Sequence, residues 1–188
     1  VVLFWIDESF DPHQEHQKKA PNIIKAYFFV AKDSIFMSYL FASVFIAMIF
    51  NQIDYYLPVH LSDSFSTTRI LGLELYGQRM LTLFLLINTL IIVLFMSKMN
   101  QLTKNWSRST GITLGIFLQG LGFIIAFLGH NLSWEVTAAV VATLGEMILV
   151  PFSQALRADL MEGDHVGTYT GAFSVTQPVA SVLSGVLV

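Results

Sequence analysis

The chain has 188 residues, of which 54% are hydrophobic and only 12% are charged, and its formal net charge is −3. Because a soluble domain carries about 25% charged residues, this composition argues against a soluble protein and makes the lipid bilayer an expected partner. The small negative charge, without a basic patch, argues against a nucleic-acid partner. Cysteine is absent, which excludes a disulfide framework and a thiolate metal site.

The first part of the chain, residues 1–33, is predicted to be a helix end followed by an aqueous loop. Residues 1–6 are apolar and stop abruptly at Asp7 and Glu8, as at the end of a membrane helix whose beginning is missing. The chain is also still apolar at Val188. We therefore expect the sequence to be a fragment of a longer protein.

Five stretches are long and apolar enough to cross a bilayer, which takes roughly 18 or more residues with few charges. The chain is therefore predicted to be an all-α integral membrane protein with five complete transmembrane helices, in which residues 34–188 form the helix bundle. Pro58 is expected to end the first span. The predicted spans are residues 34–57, 78–97, 109–129, 134–156 and 167–188.

The orientation follows from lysine and arginine, which are in excess in cytoplasmic loops near helix ends. If residues 7–33 lie inside, eight of these side chains are inside and two are outside, and each alternate loop agrees. A multi-pass protein of the cell membrane is therefore expected. The inside set is Lys18, Lys19, Lys25, Lys32, Lys98, Lys104, Arg108 and Arg157, and the outside set is Arg69 and Arg79.

Signatures of enzymes and nucleotide sites are absent from the sequence. There is no G-x-S-x-G, H-E-x-x-H, phosphate-binding loop or dinucleotide fingerprint. His13 and His16 have helical spacing but sit in a proline-containing polar loop without a third ligand, so a solvated loop is favoured over a metal site. We therefore predict no catalytic residues, no metal, no cofactor and no enzymatic activity.

The most informative residue is Glu146, which lies near the middle of the fourth predicted span. At ~1.5 Å per residue it lies roughly 16 Å from each interface, close to the bilayer midplane. A carboxylate is costly at that depth and usually marks an ion or proton path. The alternative is a protonated glutamate that only joins two helices through a hydrogen bond. A proton-coupling role is the preferred interpretation.

Amide side chains fall at a similar depth in other spans: Asn88 in the second, Gln119 in the third and Gln177 in the fifth. Singly, each is expected to make an interhelical hydrogen bond. Together with a carboxylate they fit a substrate site at the midplane, where secondary transporters bind. Asn51 and Asp54, three residues apart on one predicted helix face, are added as candidates for the same cavity.

From Gly145 to Pro151 the chain has the pattern G-E-x-x-x-x-P. This pattern resembles the tenth helix of the proton-coupled drug-efflux branch of the major facilitator superfamily. Residues 157–160 and 167–171 look like its junction into helix eleven. Residues 75–77, leading to Asn88, resemble the start of helix eight.

The resemblance implies that the five spans are helices seven to eleven of a twelve-helix fold, preceded by the end of helix six and the central cytoplasmic loop. It also implies a missing N-terminal half, protons and a small-molecule substrate as partners. The implied function is proton-coupled efflux of small amphipathic molecules by alternating access. An importer of a sugar, peptide or metabolite from the same superfamily is an alternative. A polytopic membrane enzyme or scaffold, with a structural Glu146, is an alternative of another class.

Overall fold

The computed structural model describes residues 23–70, 72–161 and 163–187. Nearly all elements are helices, as predicted, and one small β hairpin is added. The predicted helix end and polar loop over residues 1–22, with His13 and His16, lie outside the described residues. The elements are α1 Ile23–Lys32, α2 Ser34–Asn51, α3 Tyr56–Ser64, β1 Thr68–Ile70, β2 Leu73–Leu75, α4 Gly77–Thr103, α5 Arg108–Leu128, α6 Leu132–Leu160, α7 Val166–Phe173 and α8 Thr176–Leu187, with a 3₁₀ turn at Gly163–His165.

Within the described part of the chain, four helical segments are long and apolar enough to cross a membrane. They correspond to the first four predicted spans. This supports the membrane fold, whereas the predicted count of five complete helices is not confirmed. The four segments are Ser34–Ser64, Gly77–Thr103, Arg108–Leu128 and Leu132–Leu160.

The first span does not end at Pro58, as the sequence had suggested. Helix α2 ends at Asn51, a turn covers residues 52–55, and Pro58 lies inside the first turn of α3. The prediction was wrong because a proline in the first helical turn loses no hydrogen bond, since the N–H groups there have no partner within the helix. The chain therefore bends before the proline and becomes helical again.

The fifth predicted span is divided into α7 and α8 around Ser174 and Val175. Pro178 lies in the first turn of α8, where its missing N–H prevents the i to i−4 bond that would continue α7. Local hydroxyl groups bond the freed carbonyls: Ser174 Oγ donates to the Gly171 carbonyl at 2.7 Å and Thr176 Oγ1 to that of Phe173 at 2.7 Å.

Two helices extend beyond their predicted ends. Helix α4 continues to Thr103, so Lys98 is helical although it was expected in a loop. Helix α6 continues through Arg157 to Leu160 and begins at an N-cap, Asn131, whose side chain accepts from the Trp134 N–H at 3.2 Å. A charged side chain near a helix end does not stop the helix when it can extend to the interface.

Helices α5 and α6 form the closest pair of the bundle, since glycines allow their backbones to touch. A Cβ on Gly115 would stand 2.7 Å from Leu149 Cα, and one on Gly122 only 2.5 Å from the Ala142 nitrogen. A Cβ on Gly111 would collide with the ring of Phe152. Small residues at helix spacing allow this approach in lipid.

The two ends of the bundle differ. The end with the β hairpin carries an exposed ion pair between Arg69 and Glu74. At the opposite end, Asp33 caps α2 by accepting from the N–H groups of Phe36 at 3.0 Å and Ile35 at 3.1 Å, and Tyr169 donates to its second oxygen at 3.0 Å. Chiefly because of the Phe36 N–H, the pKa of Asp33 lies below its usual value of 3.8.

Candidate functional site

Glu146 is joined to the second span by a direct hydrogen bond. The Asn88 amide nitrogen donates to Glu146 Oε2 at 2.7 Å and also lies 3.2 Å from Thr143 Oγ1. The Thr143 hydroxyl in turn donates to the Ala139 carbonyl at 2.6 Å, so its oxygen is the acceptor for Asn88. Both Asn88 and Glu146 are only partly buried. The sequence placed both at one depth, and the structure brings them into contact.

The position of Glu146 follows from the packing of α6. It lies 14 residues from either end of this helix, which is ~21 Å at ~1.5 Å per residue. Its neighbour Gly145 packs so closely on α5 that a Cβ would stand 2.3 Å from the Gln119 backbone nitrogen. This contact fixes the rotation of α6 and turns the adjacent Glu146 away from α5 toward Asn88.

A second polar group joins α2 to α8. Asn51 is buried, accepts from Gln177 Nε2 at 3.0 Å, and donates to Ser184 Oγ at 3.3 Å. Gln177 is exposed. Two predicted candidates, Asn51 and Gln177, therefore lie together, and the amide of Asn51 is used in holding α8 against α2.

The remaining polar candidates lie apart from both groups. Asp54 is exposed in the turn after α2, so it does not share a helix face with Asn51 as the spacing had suggested. Gln119 is buried between α5 and α6, and its Oε1 has no hydrogen-bond partner within the described ranges. Neither residue contacts Glu146 through a side-chain hydrogen bond in the described structure.

A cleft of about 210 Å³ lies between α2, α6 and the α7–α8 break. Tyr39 closes one side and donates from its hydroxyl to the Ser153 carbonyl at 2.9 Å. The Ser153 hydroxyl is buried and has no partner in the described part of the chain. The lining combines apolar, aromatic, hydroxyl and amide groups and has no charged side chain: Tyr39, Ser43, Ile46, Ala47, Phe50, Ser153, Phe173, Thr176 and Gln177.

One face of α6 connects this cleft to the carboxyl group. Glu146, Ser153 and Arg157 are spaced by seven and four residues, so they follow one stripe of the helix. The guanidinium of Arg157 lies over the Phe173 ring, 4.4 Å from its centroid. The cleft was not predicted from the sequence, because its hydroxyl and aromatic groups look like ordinary membrane-helix residues. Only the i, i+7, i+11 spacing from Glu146 could have indicated it.

The chemistry available here is binding and proton exchange. Glu146 can hold or release a proton, or accept a hydrogen bond from a cation. No group of three or more histidine, cysteine, aspartate or glutamate side chains could hold a metal within the described residues. The cleft offers hydroxyl and amide groups for orientation and rings for apolar contact.

The family profile described as the Major Facilitator Superfamily matches residues 1–185. The chain belongs to this superfamily. The match covers nearly the whole sequence and agrees with the family that the Gly145 to Pro151 pattern suggested. The family membership and the long apolar helices together identify the chain as a membrane protein. This match identifies the superfamily and no branch within it, so membership of the drug-efflux branch remains a prediction.

Solved structures show the same fold. The chain is similar to a POT family transporter in complex with 5-aminolevulinic acid, with a TM-score of 0.68 and 17% identity. It is also similar to a POT family transporter in complex with a thioalcohol-conjugated peptide, with a TM-score of 0.64 and 18% identity. Each similarity covers 88% of this chain but only 39% of the chain of the solved transporter. A comparison with curated proteins found no match.

Proposed function

We propose that this protein is a proton-coupled secondary transporter that exports small amphipathic molecules by alternating access. In this proposal the chain supplies the C-terminal half, helices seven to eleven, and works with an N-terminal half. Membership of the superfamily and a likeness that spans only 39% of each solved transporter support this division. In this proposal the protein acts as a transporter and not as an enzyme.

The observation that carries the proposal is the contact between Asn88 and Glu146. Glu146 lies at the middle of a membrane helix, is partly exposed and is held by one neutral donor at 2.7 Å. No arginine or lysine neutralises it in the described ion pairs. In this proposal the carboxyl group takes up a proton in the state that is closed to water and gives it up in the open state. Coupling requires this alternation.

The lining of the cleft supports an amphipathic substrate. Rings of Tyr39, Phe50 and Phe173 give an apolar surface, and Ser43, Thr176 and Gln177 add hydrogen-bonding groups. At about 210 Å³ the cleft is smaller than the ~300–1,000 Å³ of typical ligand pockets, which fits one wall of a cavity between two halves. An amphipathic molecule would place its apolar part here and its polar part toward Glu146.

A second candidate is uptake of a small amine-bearing metabolite or peptide. The two similar transporters were solved with 5-aminolevulinic acid and with a modified peptide. In this alternative the carboxylate of Glu146 pairs with the substrate ammonium group. The two functions differ in what happens to binding when the charge of Glu146 is removed.

Transport in vesicles tests the direction and the coupling. The full-length protein is reconstituted, and two probes are followed under an imposed pH gradient: a permanently charged lipophilic phosphonium and 5-aminolevulinic acid. The fixed charge of the phosphonium prevents passive trapping of a neutral amine in acidic vesicles. Efflux by antiport predicts phosphonium accumulation in vesicles with an acidic interior, abolished by a protonophore.

The alternatives give other patterns. Accumulation of 5-aminolevulinic acid from an acidic exterior, without phosphonium flux, would favour the importer. If neither gradient drives either probe while protein-free vesicles behave identically, the proposed transport of these substrate classes is wrong. A scaffold in which Glu146 only joins helices would then be favoured.

A further inference from the structure

Glu135 is a second acidic residue of α6, at the end of the bundle that carries the β hairpin. Its side chain is 0% exposed and lies in the first turn of the helix. Neither carboxylate oxygen has a hydrogen-bond partner in the described part of the chain. Glu135 is 11 residues from Glu146, or ~16 Å along the helix, so the proposed coupling site does not use it.

The carboxyl group sits against the turn between α5 and α6. Glu135 Oε1 lies 3.4 Å from the position that a Cβ on Gly129 would occupy. The next residue, His130, has its ring centroid 6.1 Å from that of His60 on α3. The His60 Nε2 is also buried without a partner among the described residues. Two unpartnered titratable side chains thus meet the same turn from different helices.

Among the described residues, no ion pair compensates a charge on Glu135. The Arg79 side chain is exposed and bonds to the Glu74 carbonyl at 2.6 Å. Helix α5 has no titratable residue except Arg108 at its far end. The remaining titratable groups on α3, α4 and the turn are Tyr56, His60 and Asp63 on α3, Lys98 toward the far end of α4, and His130 in the turn.

An ionised carboxylate is unstable in such a place, because it has lost its hydration and gained no donor. The α6 N-terminus favours negative charge, but this effect is weak beside the loss of hydration. We infer that Glu135 is a second proton-binding site, occupied while α3 packs against the α5–α6 turn and emptied when this end of the bundle opens. The proton leaves to water, so that the neutral acid becomes a hydrated carboxylate.

The consequence is a pH-dependent closure of the hairpin end. At pH values where the hydrated carboxyl group of the open state has lost its proton, the closed state holds one proton more than the open state. Rising pH therefore favours opening, and the ratio of open to closed molecules grows by up to about tenfold per pH unit. The inference is independent of any transport activity.

Distances between spin labels test this directly. The sequence has no native cysteine, so Val59→Cys on α3 and Ser133→Cys on α6 introduce two labels at exposed positions. In the full-length protein the label distance is measured from pH 5 to pH 9. We expect a short, narrow distribution at pH 5 and a growing longer component as the pH rises. Glu135→Gln, which is neutral at every pH, should keep the short distribution throughout.

Matched variants assign the titrating group. Asp63→Asn removes an exposed carboxylate of α3 at the same end of the bundle and should leave the transition as in the parent protein. If Glu135→Gln does not fold, Glu135→Met provides another neutral side chain of similar length. A distribution that does not change with pH, or an identical transition in Glu135→Gln, would overturn the inference. A longer distance at low pH that His60→Gln abolishes would assign the switch to His60 and also overturn it.

Discussion

The Asn88 amide nitrogen lies 2.7 Å from Glu146 Oε2 and connects α4 to α6 near the middle of both helices. This bond uses one oxygen of the carboxyl group as the acceptor. It can form with a charged or a neutral carboxyl, since either retains an acceptor oxygen, although it is stronger with the charged form. Asn88 therefore orients Glu146 without fixing its protonation state, which a coupling residue requires.

The orientation predicts which loops are accessible from outside the cell. A single cysteine replacing Thr67, exposed beside the hairpin, should react with a membrane-impermeant thiol reagent in intact cells. A cysteine replacing Asn105, exposed between α4 and α5, should react only after the membrane is permeabilised. The reverse pattern would mean that the charge rule fails here and that the assigned orientation is inverted.

Close packing of α5 on α6 predicts different effects for two neighbouring glycines. In Gly122→Ala the new Cβ meets the backbone nitrogen of Ala142 at 2.5 Å, so the free energy of unfolding should fall by about 1–3 kcal/mol. Gly120→Ala is the control, because a Cβ there meets no described atom within 4 Å. It should be neutral or stabilise by up to about 1 kcal/mol. Denaturant unfolding in detergent measures both, and equal effects would contradict the packing.

Asn51 is expected to act mainly on stability. Asn51→Ala removes the bonds to Gln177 and Ser184, and at ~0.6 kcal/mol for each interhelical bond the loss should be about 1 kcal/mol. Asp54→Ala, in the exposed turn, should leave unfolding unchanged. Thermal unfolding of both variants gives the comparison. Unchanged stability with lost substrate binding in Asn51→Ala would instead indicate a direct contact with the substrate.

At the end of the bundle opposite the hairpin, we expect the contribution of Asp33 to the free energy of unfolding to depend on pH. Asp33→Ala removes the N-cap of α2 and should lower the free energy of unfolding by about 1 kcal/mol at neutral pH. Because the pKa of Asp33 is lowered in the folded protein, its stabilisation is complete above its usual pKa of 3.8 and is lost as the pH falls through the folded value. Unfolding at pH 7 and pH 3 should show a smaller difference between parent and variant at pH 3. A constant difference would exclude the carboxylate as its source.

Much of the fold was predictable because bilayer spans leave a strong signal in composition. Four apolar helical segments overlap the first four predicted spans, with ends displaced by a few residues. The errors occurred where local hydrogen bonding decides the outcome. Pro58 was misjudged because it falls in a first turn, and the division at Ser174 depends on hydroxyl bonds to Gly171 and Phe173.

The candidate site was predictable in part. Charge and depth singled out Glu146 and Asn88 as candidates, because a carboxylate or amide is conspicuous in an apolar helix, and the structure shows their contact. The cleft at Tyr39 and Ser153 was missed, since hydroxyl and aromatic groups are common there and only tertiary packing groups them. Glu135 was missed because an acid in the first turn of a helix looks like an ordinary interfacial residue.

The central claim is that Glu146 couples transport to a proton. Glu146→Gln keeps the size of the protonated acid and an acceptor oxygen for Asn88, but it cannot release a proton. The full-length variant should therefore fold and bind the phosphonium probe as the parent does. Glu146→Leu is the matched variant that also removes the hydrogen bond, and a purely structural Glu146 predicts damage only there.

The most direct test is accumulation of that probe in vesicles under an imposed pH gradient, measured beside its binding. We expect Glu146→Gln to retain binding and to lose gradient-driven accumulation. Accumulation by Glu146→Gln at the parent rate would contradict the assignment of Glu146 as the proton-coupling residue.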